Sequence, residues 1–204
     1  MPTLILASAS PARLATLRAA GIEPEVIVSG VDESQVSDAE PATLVTRLAE
    51  LKAGAVHARV QEDPDLAREA GWLLACDSML ELNGEVLGKP ADAAAAVRRW
   101  QRMRGRSGVL HTGHVLVELG SGRTVTRSVA TTVHFADVAD EEIEAYVGTG
   151  EPLQVAGAFT IDGLGGAFVS GLEGDHHNVV GLSLPVLRQM LAELGVRWTD
   201  LWSR

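Results

Sequence analysis

Strand-like and helix-like stretches alternate along this chain, and that alternation confines it to a mixed α/β (α+β) architecture. A short apolar run, Leu4-Ile5-Leu6, reads as a buried strand. It gives way to Ser8-Ala9-Ser10-Pro11 and then to a helical pattern with Leu14, Leu17 and Arg18 at i, i+3 and i+4. Ser10 suits the N-cap, Pro11 the first helical position and Gly21 the position just past the helix. Glu25 to Val28 predicts a second strand, and Pro41 to Arg59 a long amphipathic helix carrying Leu44, Leu48, Leu51 and Ala55. Residues 63–69 are polar and predict a loop or helical turn. Trp72 to Ala75 predicts a fully buried strand that ends at Cys76-Asp77. Residues 79–87 predict a hairpin with Asn83-Gly84 as its tight turn, and 91–104 a helix. Residues 108–119 and 123–135 predict a second hairpin around Gly120-Ser121-Gly122. The D-E-E-I-E start at Asp140 predicts a helix to Val147 that opens with a capping box. Residues 148–175 are rich in glycine and show few periodic signals, and Leu184 to Leu194 predicts the last helix. With no internal repeat and no clean linker, residues 1–204 are expected to form one domain.

Composition narrows the partners. Aromatic residues make up only 4% against 46% hydrophobic, so Leu, Val, Ala and Ile must supply the core. The net charge of −10 argues against a nucleic-acid polymer, whose binding wants a basic stripe. A small anionic ligand needs only a local basic pocket and stays open. The single cysteine, Cys76, excludes an intramolecular disulfide and fits a reducing compartment. No segment forms a membrane-length apolar run, and no basic leader precedes one. The expectation is therefore no membrane partner and a cytoplasmic location.

Three hydroxyl or acidic clusters stand where predicted strands end. Ser8-Ala9-Ser10-Pro11 opens a helix, where free amides and the positive dipole end receive phosphate, and Arg13 lies one turn in. On these residues alone a plain cap with a solvent-facing arginine serves as well. Val31-Asp32-Glu33-Ser34 offers two carboxylates for a hard divalent cation, or makes a solvated acidic turn. Asp77 directly follows the apolar run W-L-L-A-C. Partly desolvated there, it needs a metal, a base partner or a raised pKa, unless it merely caps the hairpin. Lys52, in L-A-E-L-K-A, and Lys89, in L-G-K-P, either extend to water or balance phosphate charge. Together these residues describe phosphoryl chemistry, without the G-x-x-x-x-G-K-[ST] of a P-loop. Gly163-Leu164-Gly165-Gly166 lacks the setting of a dinucleotide fingerprint and predicts a flexible loop. His111 and His114, three apart in a strand, point to opposite faces and make a poor metal pair. His176-His177 predicts a surface loop, and Cys76 a small buried packing residue.

The order L-I-L-A-S-A-S-P-x-R, V-D-E, L-x-x-x-K-A, A-C-D-S and L-G-K-P resembles the Maf-like nucleotide pyrophosphatases. D-E-E-I-E-A-Y-V-G-T-G-E-P, A-G-A-F-x-I-D-G-L-G and G-D-H-H-N-V-V-G-L-S-L-P extend the resemblance to about residue 194. The resemblance implies an elongated two-lobed fold with a central nucleotide cleft, related to the inosine-triphosphate pyrophosphatases. It implies a cytoplasmic homodimer that hydrolyses a nucleoside triphosphate to monophosphate and pyrophosphate with Mg²⁺ or Mn²⁺. Carried over position by position, it makes Asp77 the catalytic proton acceptor and a metal ligand, and Glu33 the second metal ligand. It places Ser8, Ser10, Arg13, Lys52 and Lys89 around the triphosphate.

Met79-Leu80 departs from the family pattern as a packing change, and three further departures bear on activity. Ala12 stands where the family's first arginine would be, Val155 where a lysine is usual before A-G, and Asp162 where a glutamine precedes G-L-G. In one branch of the family that glutamine goes with pyrimidine substrates, so Asp162 bears on base preference. These departures favour an alternative, a low-turnover nucleotide-binding regulator of cell division. The retained Glu33, Lys52, Asp77 and Lys89 favour the enzyme.

Overall fold

The structure is a computed structural model that describes residues 3–33, 36 and 40–203. Ser34, at the end of the first acidic cluster, lies outside the described residues. In chain order the elements are β1 (Thr3–Leu6), α1 (Pro11–Ala19), β2 (Glu25–Val26), α2 (Pro41–Glu62), α3 (Pro64–Glu69), β3 (Ala70–Leu82) and β4 (Glu85–Leu87). They continue with α4 (Ala93–Met103), β5 (Ser107–Glu118), β6 (Thr124–Phe135), α5 (Asp140–Gly148), β7 (Val169–Glu173), α6 (His176–Val180) and α7 (Leu184–Glu193). The strands form a mixed sheet in the order β2-β1-β3-β5-β6-β7, with β4 paired to β3. β1 runs parallel to both β2 and β3, while β3–β4 and β6–β7 are antiparallel. The expected α/β class is the observed one.

Local chemistry explains the boundaries. Ser10 caps α1 through its hydroxyl, and Pro11 takes the first turn. Asn83 and Gly84 both have positive φ and close the β3–β4 turn, which glycine adopts without steric cost. The polar stretch 63–69 is a helix because Asp63 accepts hydrogen bonds from the amides of Asp65 and Leu66. β2 stops at Val26, short of the expected Val28, whose carbonyl is taken by Arg59 rather than by a strand. Ala139, not Asp140, precedes α5, and Glu142 reaches back to its amide as half of a capping box.

The chain divides into two compact units, residues 1–77, 112–129 and 181–204, and residues 78–111 and 130–180. In the first unit β1 is buried on both faces, as a central parallel strand must be. Leu4 and Leu6 join Leu17, Leu74, Cys76, Leu187 and Met190, whereas Ile5 and Ala7 join Ala49, Ala53, Val56, Leu73 and Ala75 beneath α2. Alternate residues of β3 divide in the same way. Gly113 of β5 lets α2 sit against the sheet, since a β-carbon there would lie 2.4 Å from the Val45 carbonyl oxygen. The second unit is built on the fully buried Trp100, which meets Phe135, Tyr146 and Phe168 edge to face at centroid distances of 5.4–5.8 Å among the four rings. Its indole N–H donates to the Ala158 carbonyl at 2.7 Å. Among the described residues no helix is long and apolar enough to cross a membrane.

Candidate active site

Three residues that lie far apart in sequence converge in the first unit. The Lys52 ammonium, on α2, sits 2.7 Å from Glu33 and also binds one carboxylate oxygen, Oδ1, of Asp77. Their side-chain exposures fall from 47% at Glu33 through 12% at Lys52 to 6% at Asp77, so the cluster runs from solvent to interior. Burial pushes the Asp77 carboxyl above its ordinary range, and the neighbouring Lys52 and Arg13 pull it back part of the way. The second oxygen, Oδ2, is buried and has no hydrogen-bond partner. A buried carboxylate oxygen without a donor is costly to keep and is poised to accept a proton or a cation.

The strand-to-helix junction of β1 and α1 forms a second feature of this unit. Ser8 is buried, and its hydroxyl accepts the Ser10 amide at 3.1 Å, while Ser10 caps α1 at the amide of Arg13. Arg13 does not face solvent. It is buried, and its guanidinium donates to Ser8 Oγ at 3.1 Å, to the Cys76 carbonyl at 2.8 Å and to the Gly181 carbonyl at 2.8 Å. Cys76 is a buried member of the core, as expected, and desolvation drives its thiol up to about 11 despite the nearby Arg13 and Lys52. Ala12, in the departing position, is half-buried on the first turn of α1.

Lys89 and Asp162 belong to the second unit. Lys89 is exposed and makes no hydrogen bond or ion pair among the described residues. The carbonyl just before it, of Gly88, accepts from Arg99 at 2.6 Å and from the Gly157 amide at 3.1 Å. Asp162 is exposed and Val155 half-buried.

The glycine-rich stretch 163–166 is not the flexible loop its composition predicts. It wraps around Glu151, whose carboxylate accepts from the amides of Leu164 and Gly165 at 3.1 Å each, from Tyr146 at 3.1 Å and from the Thr160 hydroxyl. Burial raises the Glu151 carboxyl, but these donors outweigh it and hold the group below its ordinary range. The glycines are demanded by space, because a β-carbon on Gly165 would fall 2.4 Å from the Tyr146 hydroxyl and one on Gly166 2.6 Å from the Ile161 carbonyl. Sequence reasoning missed Glu151; its place in G-E-P after a helix was the only signal.

His111 pairs with Glu81 at 3.1 Å, and His114 accepts the Ser183 amide at 2.9 Å. His176-His177 opens α6 rather than a surface loop, because Asp175 accepts the His177 amide at 2.9 Å. Among the described residues no group of three or more His, Cys, Asp or Glu side chains is gathered to hold a metal. The donors that Glu33 and Asp77 do offer, hard oxygens with one Asp77 oxygen unpartnered, fit Mg²⁺ or Mn²⁺. Such ions take one or two carboxylates and complete their shell with water and substrate phosphates.

The sequence profile of the family described as Maf-like protein matches residues 3–194. A nucleoside triphosphate pyrophosphatase of Salinispora tropica is 59% identical over 201 residues, covering 98% of this chain and 88% of that protein. Another from Streptomyces coelicolor is 52% identical, covering 98% of this chain and 94% of the relative. One from Nostoc punctiforme is 50% identical, covering 99% of this chain and 98% of the relative.

Proposed function

Because the chain belongs to the Maf-like protein family, we propose that it is a nucleoside triphosphate pyrophosphatase, cleaving the α–β phosphoanhydride to release nucleoside monophosphate and pyrophosphate. The observation that carries this function is the state of Asp77, held through Oδ1 by Lys52 and left with a buried, unpartnered Oδ2. A water bound at Oδ2 gives its proton to the carboxylate as its oxygen attacks the α-phosphorus. The bond from that phosphorus to the bridging oxygen breaks, and the electron pair leaves with pyrophosphate. Lys52 fixes the carboxylate's orientation and favours its ionised form against desolvation.

The N-terminus of α1 offers its positive dipole end to phosphate oxygens, with Ser10 setting where the helix begins. The family resemblance assigns Lys89 to the triphosphate and gives Asp162 a part in base preference. Glu33 and Asp77 would hold Mg²⁺ or Mn²⁺, which when bound neutralises charge on the phosphate oxygens. A homodimer working in the cytoplasm belongs to the same proposal.

The test is product analysis. The pure protein is incubated with standard and modified nucleoside triphosphates, with Mg²⁺, with Mn²⁺ and with a chelator. Monophosphate plus pyrophosphate in the metal-containing reactions alone supports the proposal. Orthophosphate as the released product sinks α–β cleavage, and full turnover under chelation removes the metal.

A further inference from the structure

We propose that Arg13 is an internal strut that positions Asp77 through the Cys76 carbonyl, with Gly181 as its footing, and that it does not contact substrate phosphate. The inference rests on the hydrolase function proposed above and assigns one of its residues a different task.

The guanidinium is inside the protein, and its Nε and Nη1 donors both point to protein acceptors. Nη1 reaches the Cys76 carbonyl, one peptide before the carboxylate that takes the proton, and also the Ser8 hydroxyl. Nε reaches the carbonyl of Gly181, 168 residues away in sequence. Two nitrogens of one rigid fork therefore tie the middle of β3 to the segment that leads into α7. The Ser8 hydroxyl accepts from both Arg13 and the Ser10 amide, so its lone pairs are committed to the protein as well.

Gly181 completes the device. Its φ of +119° lies in the region that favours glycine, and a β-carbon there would come within 3.1 Å of Arg13 Nε. A methyl group at this position, 168 residues from Arg13 in the chain, would push directly on the fork. No phosphate role for Arg13 gives Gly181 any part in the reaction.

The two roles make opposite kinetic demands. A phosphate contact acts as a charge, so a lysine replaces it in large part and its loss raises KM. A strut acts by geometry, so one ammonium cannot span two carbonyls and the loss falls on kcat.

The experiment compares Arg13→Ala, Arg13→Lys, Gly181→Ala and the Arg13→Ala/Gly181→Ala double variant, with pyrophosphate release and thermal midpoints as readouts. Triphosphate binding is measured separately with an α,β-methylene analogue. The strut predicts a kcat loss of about ten- to hundredfold for Arg13→Ala, little rescue by lysine, and analogue affinity within about twofold of the unaltered protein. Gly181→Ala reproduces the kcat defect, and the double variant is no worse than Arg13→Ala in kcat, while its thermal midpoint falls further because alanine at φ +119° strains the backbone whatever stands at position 13. Weakened analogue binding with rescue by lysine overturns the inference, and so does additivity of the two substitutions in kcat. Absence of turnover in the unaltered protein is a different failure: it removes the proposed function, and the positioning role falls with it.

Discussion

Gly113 and Val45 are in backbone contact: the space a β-carbon on Gly113 would need begins 2.4 Å from the Val45 carbonyl oxygen and 2.7 Å from the Thr46 amide nitrogen. This contact seats α2 on the sheet, and Lys52 stands on the same helix two turns further on. Gly113→Ala is therefore expected to lift α2, with a stability cost of about 1–3 kcal/mol from overpacking. Turnover should fall along with it, because Lys52 moves relative to Asp77. Urea unfolding and steady-state kinetics on the same preparation check both effects.

Asp77→Asn keeps an oxygen for Lys52 but removes the proton acceptor. Turnover is expected to drop by about 10²–10⁴-fold, the usual worth of a positioned general base. The fold should persist, since replacing a buried carboxylate by an amide removes a desolvated charge. Far-UV circular dichroism and the thermal midpoint report the fold, and pyrophosphate release reports the chemistry. Activity near that of the unaltered protein would remove Asp77 from the reaction.

Glu151 predicts a pH dependence of stability. Its carboxyl is held below the ordinary range by four donors, so the folded state binds its proton less readily than the unfolded chain. The stabilisation is complete above the unfolded carboxyl pKa and is lost as pH falls through the lower folded value. Glu151→Gln should thus be destabilised at neutral pH, by about 1.5–3 kcal/mol if one charge-assisted bond is lost. The gap from the unaltered protein should close as the solution is acidified below pH about 4. Denaturant midpoints at a series of pH values give the comparison, and a constant gap would contradict it.

Cys76 should be silent toward thiol reagents in the native state. It is buried, and desolvation carries its thiol to about 11, which leaves little thiolate at neutral pH. In denaturant one thiol per chain should react promptly, since the sequence holds one cysteine. Rapid modification of the native protein would show that β3 opens around Cys76.

Much of this was legible because it is local. The S-x-S-P junction and the Asn83-Gly84 turn each carry their own short-range chemistry, and each stands where its pattern put it, whereas the apolar run before Asp77 is not the end of a strand: β3 continues through Asp77 to Leu82 and into the hairpin. Glu33, Lys52 and Asp77 could be singled out as chemical types, yet their meeting depends on how α2 packs on the sheet, which no spacing encodes. Arg13 was legible as a cation, with solvent and phosphate both open as its surroundings, and its internal place was not, because its acceptors include carbonyls, and a carbonyl leaves no mark in a sequence. The loop at 163–166 failed for a related reason. Glycine signals either freedom or tight quarters, and only the four-fold use of Glu151 decides between them. α6 and β7 escaped prediction because at five residues each they are too short to show a period.

Trp100 has an optical consequence. It is fully buried among three aromatic rings and is the single tryptophan of residues 78–111 and 130–180, whereas Trp72, Trp198 and Trp202 all fall in the other unit. With those three replaced by phenylalanine, the remaining emission would come from a dry indole and shift to longer wavelength only when its own surroundings open. The chain thus carries a built-in fluorophore for one half of itself, and unfolding followed by this emission can be set beside unfolding followed by Cys76 exposure in the other.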